Sequence, residues 1–295
     1  MSIKIITDSA CSLPKSIVED LDITVVPLTL HLGEESFRDD GVQIEPETMM
    51  NEMKEGKVYK TSQISPAVFE EIFEKYIDHF DTVIYIAFSS EISGTYQAGM
   101  IAKNQLLEKY EEVKAFDLEV IDSKCVALGS GLVVKWAAEM AKKGKGKEQI
   151  MEGVEYLAQN MEHIFTVDDL NYLYRGGRVS YTSAFVGGLL NIKPILNVEK
   201  GKLIPFEKVR TRKKALKRIV EIVKERGVNL DAQLIGINHG NDLAGAELLR
   251  DMLMEEVEAK DFLIVTLPAV IAAHTGPGTL SVFFLSTGVK DDEIS

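Results

Sequence analysis

Short apolar segments alternate with amphipathic segments along most of this chain. The segment from Thr82 to Phe88, TVIYIAF, shows no polar alternation, which is typical of a strand buried on both faces of a parallel sheet. A helical spacing of apolar residues follows it. The apolar segments Ile3 to Thr7 and Leu118 to Ile121 are each followed by a helical pattern as well. Strands separated by helices predict an α/β fold with a parallel sheet in the first half of the chain.

The second half of the chain shows a different order of predicted strands and helices. Two extended segments, Lys193 to Val198 and Lys202 to Arg210, flank Lys200-Gly201 and predict a hairpin. His163 to Val167 is predicted as a strand, and Ser180 to Leu190 as an almost wholly apolar helix. Hairpins mixed with helices predict an α+β arrangement with a mixed sheet.

The length of the chain favours two domains, since 295 residues exceed what one hydrophobic core usually serves. Because the pattern of predicted strands and helices changes near His163, we predict an N-terminal α/β domain over residues 1–162 and a mixed-sheet α+β domain over residues 163–295. The sequence shows no internal repeat and no low-complexity segment.

Charge and cysteine content argue against several classes of protein. The net charge is −13 without a concentrated basic face, which disfavours nucleic acid and anionic membrane surfaces as main partners. Cys11 and Cys125 are too few for a disulfide framework or a cysteine metal site. No signal-peptide pattern precedes the first predicted strand, and no apolar segment is long enough to span a bilayer. We therefore expect a cytoplasmic protein without a transmembrane segment.

Polar residues follow three of the predicted parallel strands, at Thr7-Asp8-Ser9, Ser89-Ser90 and Asp122-Ser123. Ligands of such sheets bind beyond the carboxyl ends of the strands. The loop after Phe88 also leads into a helix, whose first N–H groups favour an anion, and Gly94 lets the backbone approach one. Taken alone, this loop is explained more simply by Ser93 capping the helix. The recurrence of polar strand ends favours a binding site.

Common catalytic and metal motifs are absent from the sequence. It contains no GxGxxG after the first strand, no GxxxxGK[ST], no GxSxG elbow and no HExxH spacing. We therefore expect no metal and no nucleotide cofactor. A Ser93/His274 pair with an aspartate to orient the histidine stays open as an alternative. In that case the protein would be a hydrolase or phosphotransferase acting on a small anionic substrate.

Seven motifs along nearly the whole chain resemble those of the DegV family of bacterial fatty-acid-binding proteins. They are TDSAC, KTSQ, FSSEISGTY, IDS, LNYLYRGGR, IKPIL and HTGPG, in the family's order. The resemblance implies a two-domain α/β protein that holds one long-chain fatty acid, such as palmitate, between its domains. It also implies a lipid-binding protein rather than an enzyme. Such a protein presents the carboxylate to a separate fatty-acid kinase, which makes acyl phosphate for phospholipid synthesis.

The resemblance further assigns roles to individual residues. It places Arg175, Arg178 and Arg210 near the mouth of the site and the surface that meets the kinase. Arg210 belongs to the densest basic run of the chain, residues 208–218. Composition alone favours a solvated helix face for that run, whereas the resemblance favours a docking surface. The residues expected to bind the fatty-acid carboxylate are Thr61, Ser62, Ser93, Gly94, Thr95 and His274.

Overall fold

The structure is a computed structural model that describes residues 2–110, 116–180 and 192–287. The strands within these ranges are β1 (Ile3–Asp8), β2 (Thr24–Val26), β3 (Thr29–Leu32), β4 (Glu35–Arg38), β5 (Lys60–Ser62), β6 (Thr82–Ala87), β7 (Leu118–Asp122), β8 (Met161–Thr166), β9 (Ile192–Glu199), β10 (Lys202–Arg210), β11 (Leu234–His239), β12 (Asp261–Thr266) and β13 (Leu280–Leu285). The helices are α1 (Lys15–Asp20), α2 (Pro46–Lys54), α3 (Pro66–Ile77), α4 (Thr95–Tyr110), α5 (Ala127–Lys142), α6 (Lys147–Asn160), α7 (Asn171–Arg175), α8 (Arg212–Arg226), α9 (Leu243–Val257) and α10 (Ala269–Thr275).

The first half contains the predicted parallel sheet, with strand order β2-β1-β6-β7 and every neighbouring pair parallel. Strand β6 is buried at each position. On one face Tyr85 stacks with Phe69 and Phe73 of α3, and on the other Ile84 and Ile86 join the apolar side of α5 and α6. This double burial explains the uninterrupted apolar segment and confirms the prediction made from it.

The second half contains a six-stranded mixed sheet in the order β10-β9-β8-β13-β11-β12. Within this sheet, only the pair β11 and β12 is parallel among the pairs that the structure describes. Helices α8 and α9 cover one face through a core that includes Leu216, Ile219 and Leu249. The predicted hairpin around Lys200-Gly201 is confirmed as β9 and β10.

Helix α5 lies between the two sheets and approaches both closely. A Cβ atom at Gly129 would lie 2.4 Å from Nε2 of His163 and 2.9 Å from the ring of Phe283, both in the six-stranded sheet. A Cβ atom at Gly131 would lie 2.2 Å from the carbonyl oxygen of Cys11, just beyond β1. These two contacts explain why glycines occupy the helix despite their poor helix propensity. They also fix the spacing of the sheets.

Gly33-Glu34-Glu35 predicts a hairpin turn that leads back through Phe37 and Arg38, and the structure confirms it as β3 and β4. The additional strand β5 makes this hairpin part of a third, small antiparallel sheet. It has the order β4-β3-β5 and packs with α2 and α10 around Leu30, Met49 and Met50.

The sequence pattern of Ile23 to Leu32 predicts one extended segment. The structure divides it at Pro27, which has no N–H group for a sheet. Its first part pairs with β1, and its second part starts the small sheet. The polar sequence from Tyr59 to Ser65 predicts a loop, but Lys60 to Ser62 form the edge strand β5.

Three other expectations differ from the structure or lie outside it. The glycines and proline of residues 274–278 predict a loop there, but His274 belongs to the last turn of α10, which Pro268 precedes. The predicted boundary after residue 162 falls inside β8, and the division into domains stays a prediction. The apolar helix expected over Ser180 to Leu190 lies almost entirely outside the described residues. Of the helices that the structure describes, none combines the length and apolarity needed to cross a bilayer.

Asp8 at the end of β1 is a buried carboxylate that ties β1 to β6. The hydroxyl of Tyr85 donates to its Oδ2 at 2.9 Å, and the N–H of Phe88 donates to the same oxygen at 3.0 Å. The N–H of Ala10 donates to Oδ1 at 3.2 Å. Burial raises the pKa of Asp8 from 3.8 to about 6, although these hydrogen bonds act in the opposite direction.

The raised pKa of Asp8 predicts an unusual dependence of stability on pH. As the pH rises from 4, the unfolded chain releases this proton before the folded chain does. The stability contributed by protonated Asp8 is therefore present near pH 4 and is lost as the pH passes 6. We expect the free energy of unfolding of the wild type, minus that of Asp8→Asn, to fall by about 2 kcal/mol between pH 4 and pH 7.5. Urea titrations at several pH values measure this difference.

The exposed aspartate Asp20 provides the control. The same subtraction with Asp20→Asn should vary much less over this pH range. A difference for Asp8→Asn that stays flat or grows with pH would contradict the prediction.

Candidate functional site

A cavity of about 390 Å³ lies where the two large sheets, the small sheet and α10 meet. This volume is within the range of small-molecule sites. Most of its lining is apolar and comes from several elements, including Phe88 after β6, Phe165 in β8, Leu203 in β10 and Phe283 in β13. The polar side chains in the lining come mainly from β5, the loop after β6, the segment after α7, and α10.

Thr61 and His274 meet in the lining although they are far apart in the chain. Thr61 Oγ1 lies 2.7 Å from His274 Nε2. Strand β5 holds Thr61, and the last turn of α10 holds His274. On the other side of the imidazole, a Cβ atom at Gly176 would lie 2.3 Å from His274 Nδ1. The glycine after α7 therefore lets the backbone pack directly against the ring.

Ser93 both supports its own loop and lines the cavity. Its Oγ lies 2.8 Å from Oγ1 of Thr95 and accepts the N–H of Thr95 at 3.3 Å. The capping interpretation therefore describes part of what Ser93 does. A Cβ atom at Gly94 would lie 1.8 Å from Oε1 of Gln63, so this glycine brings the Ser93 loop against the segment that follows β5. Ser93 consequently lies near the Thr61 side of the lining.

Arg178 adds a cation to this polar part of the lining. The side chain is half-buried, and its Nη1 donates to the carbonyl oxygen of Gly176 at 2.5 Å. Burial lowers the pKa of the guanidinium, but arginine stays protonated in proteins. The sequence expectation put Arg178 with the residues that face a partner. It also placed Arg178 near the mouth of the site, and in the structure Arg178 lines the cavity, just after the turn at Gly176-Gly177. A role in facing a partner stays a prediction.

His274 is electrically neutral at pH 7. Burial, and to a smaller extent the positive charge of Arg178, lower the pKa of His274 from 6.5 to about 4. The polar part of the cavity thus combines one fixed positive charge with hydroxyl groups and a neutral imidazole. This combination fits an anionic group of a ligand, since the guanidinium supplies charge and the neutral groups supply directed hydrogen bonds.

The other expected carboxylate ligands occupy different surroundings. Ser62 lines the cavity, but it is exposed and its Oγ lies 2.9 Å from Nε2 of His31. Thr95 is fully buried behind Ser93 and is not among the residues of the lining. Thr61, Ser93, Gly94 and His274 are brought together as lining residues, and their role as ligands stays a prediction.

Arg175 and Arg210 are exposed. The guanidinium of Arg175 lies 4.9 Å from the centre of the Tyr172 ring, and Arg210 ends β10. Two arginines of the basic run form ion pairs within the chain, whereas composition predicted charges that face solvent. Arg212 pairs with Asp242 at 2.6 Å, and Arg218 pairs with Glu207 at 2.8 Å, so acidic residues of this chain partly neutralise them.

The polar residues at the strand ends support the site rather than line it. Asp8 holds the N–H of Phe88, where the Ser93 loop begins. Asp122 accepts the N–H of Ser90 at 3.1 Å, further along the same loop. Neither carboxylate belongs to the cavity lining. The recurrence of polar residues at the strand ends therefore reflects their role in fixing the loop after β6. Arg178, which the resemblance placed near the mouth of the site, is the arginine among the described residues of the lining.

The arrangement gives little support to a serine–histidine catalytic pair. In the described ranges, the Ser93 hydroxyl contacts Thr95 and the His274 imidazole contacts Thr61. No hydrogen bond from a carboxylate orients the imidazole there, and a pKa near 4 makes His274 a weak base. The same ranges contain no group of three or more histidine, cysteine or acidic residues that could hold a metal ion.

Comparison with known proteins agrees with the motifs. A family model described as an uncharacterised protein of the DegV family matches residues 2–287. The chain belongs to the DegV family. A DegV domain-containing protein of Clostridium perfringens is 42% identical over 283 residues, which cover 95% of this chain and 96% of the relative.

Solved structures of the DegV family share the fold described above. The crystal structure of DegV from Bacillus subtilis, a fatty-acid-binding protein, has a TM-score of 0.84 and 32% identity, and the match covers 96% of this chain and 98% of that one. A stearic-acid-binding protein from Eubacterium ventriosum has a TM-score of 0.85 and 28% identity, with 97% of this chain and 99% of that one covered. These values confirm the predicted family and fold class.

The environment of His274 leads to a prediction about its titration. We expect the imidazole to titrate near pH 4, because burial and the charge of Arg178 both disfavour its protonation. In Arg178→Gln the pKa should rise but stay below 6.5, since the larger effect of burial remains. NMR of protein with isotopically labelled histidine, titrated from pH 3.5 to pH 8, measures both values. Titration of wild-type His274 near 6.5 would contradict the described geometry.

Proposed function

We propose that this protein binds one long-chain fatty acid in the cavity and presents its carboxylate to a fatty-acid kinase. The carboxylate lies at the polar part of the lining, formed by Thr61, Ser93, Arg178 and His274, and the acyl chain lies among the apolar side chains. The main observation behind the proposal is that an otherwise apolar cavity contains one cation and several polar groups that can form directed hydrogen bonds. The fatty-acid-binding proteins of the same family and fold support it.

The acyl chain supplies most of the binding free energy. About fifteen methylene groups at about 0.8 kcal/mol each correspond to about 12 kcal/mol of gross transfer free energy. Association and ordering of the chain remove several kcal/mol of this. Aromatic and aliphatic side chains such as Ile92, Phe165 and Phe283 provide the required apolar surface.

The polar groups fix where the carboxylate lies. A carboxylate taken from water into this cavity needs partners, because an unpaired buried charge is very costly. Arg178 supplies the opposite charge, and Thr61, Ser93 and His274 offer hydrogen bonds of about 1.5–3 kcal/mol each to a charged group. An acidic protein can therefore hold an anion, since the nearest charge dominates over the net charge of the molecule.

The proposal predicts a specific loss on removing the cation. We expect Arg178→Gln to weaken palmitate binding about tenfold or more and to leave the affinity for hexadecanol nearly unchanged, because the alcohol has the same chain without the charge. Titration calorimetry or competition with a fluorescent fatty acid measures both affinities. Arg175→Gln, in the same segment but exposed, is the matched control and should change neither affinity.

Mass spectrometry of the denatured wild-type protein should also show a long-chain acid in stoichiometric amount. Protein that carries no acid and binds neither palmitate nor oleate would refute the proposal. Turnover of an acyl ester by the isolated protein, lost in Ser93→Ala, would favour a hydrolase instead.

The exposed arginines support the second part of the proposal. Arg175 and Arg210 lie at the surface, as do Lys213 and Lys217 on α8, in a protein of net charge −13. A cluster of exposed cations on an acidic protein is a means of orienting a partner with complementary charge. In the proposed role, this surface docks the kinase while the cavity holds the lipid.

A docking role for Arg210 predicts a kinetic effect without a change in lipid binding. We expect Arg210→Ala to keep the affinity for palmitate and to lower the kcat/KM of acyl phosphate formation several-fold at low salt. Added salt should reduce the difference, because screening weakens long-range attraction. Kinase assays across a salt series measure it, and Lys15→Ala, an exposed cation on α1, is the control. Unchanged turnover at low salt would contradict the docking role and would indicate that the basic run is a solvated surface.

A further inference from the structure

Strand β13 contains a single polar residue, Ser281, within the apolar sequence LSVFFL. The strand lies between β8 and β11 in the six-stranded sheet, and it is buried along its whole length. On one face, Leu280, Val282 and Phe284 belong to the core under α8 and α9. On the other face, Ser281 and Phe283 line the cavity. Strands covered on both faces are usually apolar throughout, so packing of the sheet does not explain the serine.

The hydroxyl of Ser281 makes no hydrogen bond with any residue that the structure describes, although only 6% of the residue is exposed. Asn238 lies opposite it on β11, but the amide of Asn238 accepts the N–H of Leu128 and donates to the carbonyl oxygen of Val265, each at 3.0 Å. On β8 the opposite residue is Phe165, whose side chain has no polar atom. A buried hydroxyl without a partner is costly. The available partner for Ser281 is therefore a group inside the cavity.

The other hydroxyl groups of the described lining already have partners. Thr275 Oγ1 donates to the carbonyl oxygen of Ile271 at 3.3 Å, and Thr279 Oγ1 donates to that of Gly276 at 2.8 Å. The hydroxyls of the polar part each contact a histidine or another hydroxyl. Among the lining hydroxyls that the structure describes, the one on Ser281 is thus the one left for a ligand.

Ser281 lies in the apolar part of the cavity. Phe165 is beside it on β8, and Phe283 follows two residues later on the same face of β13. From there the lining leads toward α5, since a Cβ atom at Gly129 would lie 2.9 Å from the ring of Phe283. The polar part around His274 is built by other elements. A ligand with its carboxylate at the polar part therefore meets Ser281 with its chain.

We propose that Ser281 is a specificity-determining residue, which favours long-chain acids that carry a hydroxyl group partway along the acyl chain. Both hydroxyls can donate and accept, so they form a hydrogen bond that the rest of the apolar lining does not offer. The inference rests on the proposed function, because only a carboxylate fixed at the polar part brings one position of the chain to Ser281. Unsubstituted acids also bind, since their chains keep the apolar contacts.

The test compares stearic acid with hydroxystearic acids whose hydroxyl group moves along the chain. In the wild type we expect one isomer, or two neighbouring isomers, to bind about tenfold more tightly than the others, because elsewhere the hydroxyl is buried without a partner. In Ser281→Ala this preference should fall to about twofold or less, whereas stearic acid should bind at least as tightly as before. Competition with a fluorescent fatty acid measures all these affinities.

Thr275→Val is the matched control. It also removes a hydroxyl from the lining at nearly the same shape, but this hydroxyl is already bonded to the carbonyl oxygen of Ile271. The variant should therefore keep the preferred isomer. If Ser281→Ala does not fold, Ser281→Cys provides the same comparison, because a thiol is a weak donor and acceptor.

The outcomes separate this inference from the proposed function. Isomers that all bind alike in the wild type, a preference that persists in Ser281→Ala, or one that is lost equally in Thr275→Val would each overturn the inference. Tight binding of stearic acid in the same assay would leave the proposed function standing. Wild-type protein that binds neither stearic acid nor any of its hydroxylated isomers would refute both.

Discussion

The packing of α5 between two sheets is the constraint on which the rest of the molecule depends. Gly129 and Gly131 let the helix approach the six-stranded sheet on one side and the end of β1 on the other. The residues just before and at the start of this helix, Val126 and Ala127, line the cavity. A larger side chain at either glycine would separate the sheets. The cavity would then change shape, because its apolar surface comes from both sheets at once.

The buried charged residues near the cavity differ in sign according to whether they line it. Asp8 and Asp39 are buried carboxylates outside the lining. Asp8 accepts two backbone N–H groups and the hydroxyl of Tyr85, and Asp39 accepts the hydroxyl of Ser9. Arg178 is in the lining. An anion in the cavity therefore meets a cation directly, whereas the nearby carboxylates already have hydrogen-bond donors around them. Carboxylates with fewer partners at these positions would repel the same anion, so their hydrogen bonds serve both the fold and the site.

Much of the fold could be predicted from periodicity, and much of the site could not. The apolar segment of β6 indicated a doubly buried parallel strand because burial on both faces leaves no polar position. The edge strand β5 gave no such signal, since three residues with one half-buried position have no readable period. Helix α10 is seven residues long and nearly all apolar, so neither its length nor a polar face distinguished it from a loop or strand.

The family resemblance placed Arg178 near the mouth of the site, whereas its residue type and local sequence gave no such indication. An arginine after two glycines is usually a solvated charge beyond a helix end, and nothing within LNYLYRGGR indicates otherwise. What directs it inward is the turn at Gly177, at a φ of 70°, together with the packing of Gly176 against His274. That contact joins segments about a hundred residues apart. Pairing of this kind becomes visible only when α10 is placed against the turn, because His274 and Arg178 carry no shared local pattern.

The polar strand ends illustrate a more general relation between binding sites and their supports. Thr7-Asp8-Ser9 was expected at the ligand because ligands of parallel sheets lie beyond the carboxyl ends of the strands. The ligand cavity is indeed near that edge, since Ala10 and Phe88 belong to its lining. Yet Asp8 and Ser9 are used to hold the Ser93 loop and Asp39, and the groups facing the cavity are carried by those held segments. In the proposed function the site orients one carboxylate among many apolar contacts, which requires rigid loops. Buried hydrogen bonds at the strand ends provide that rigidity.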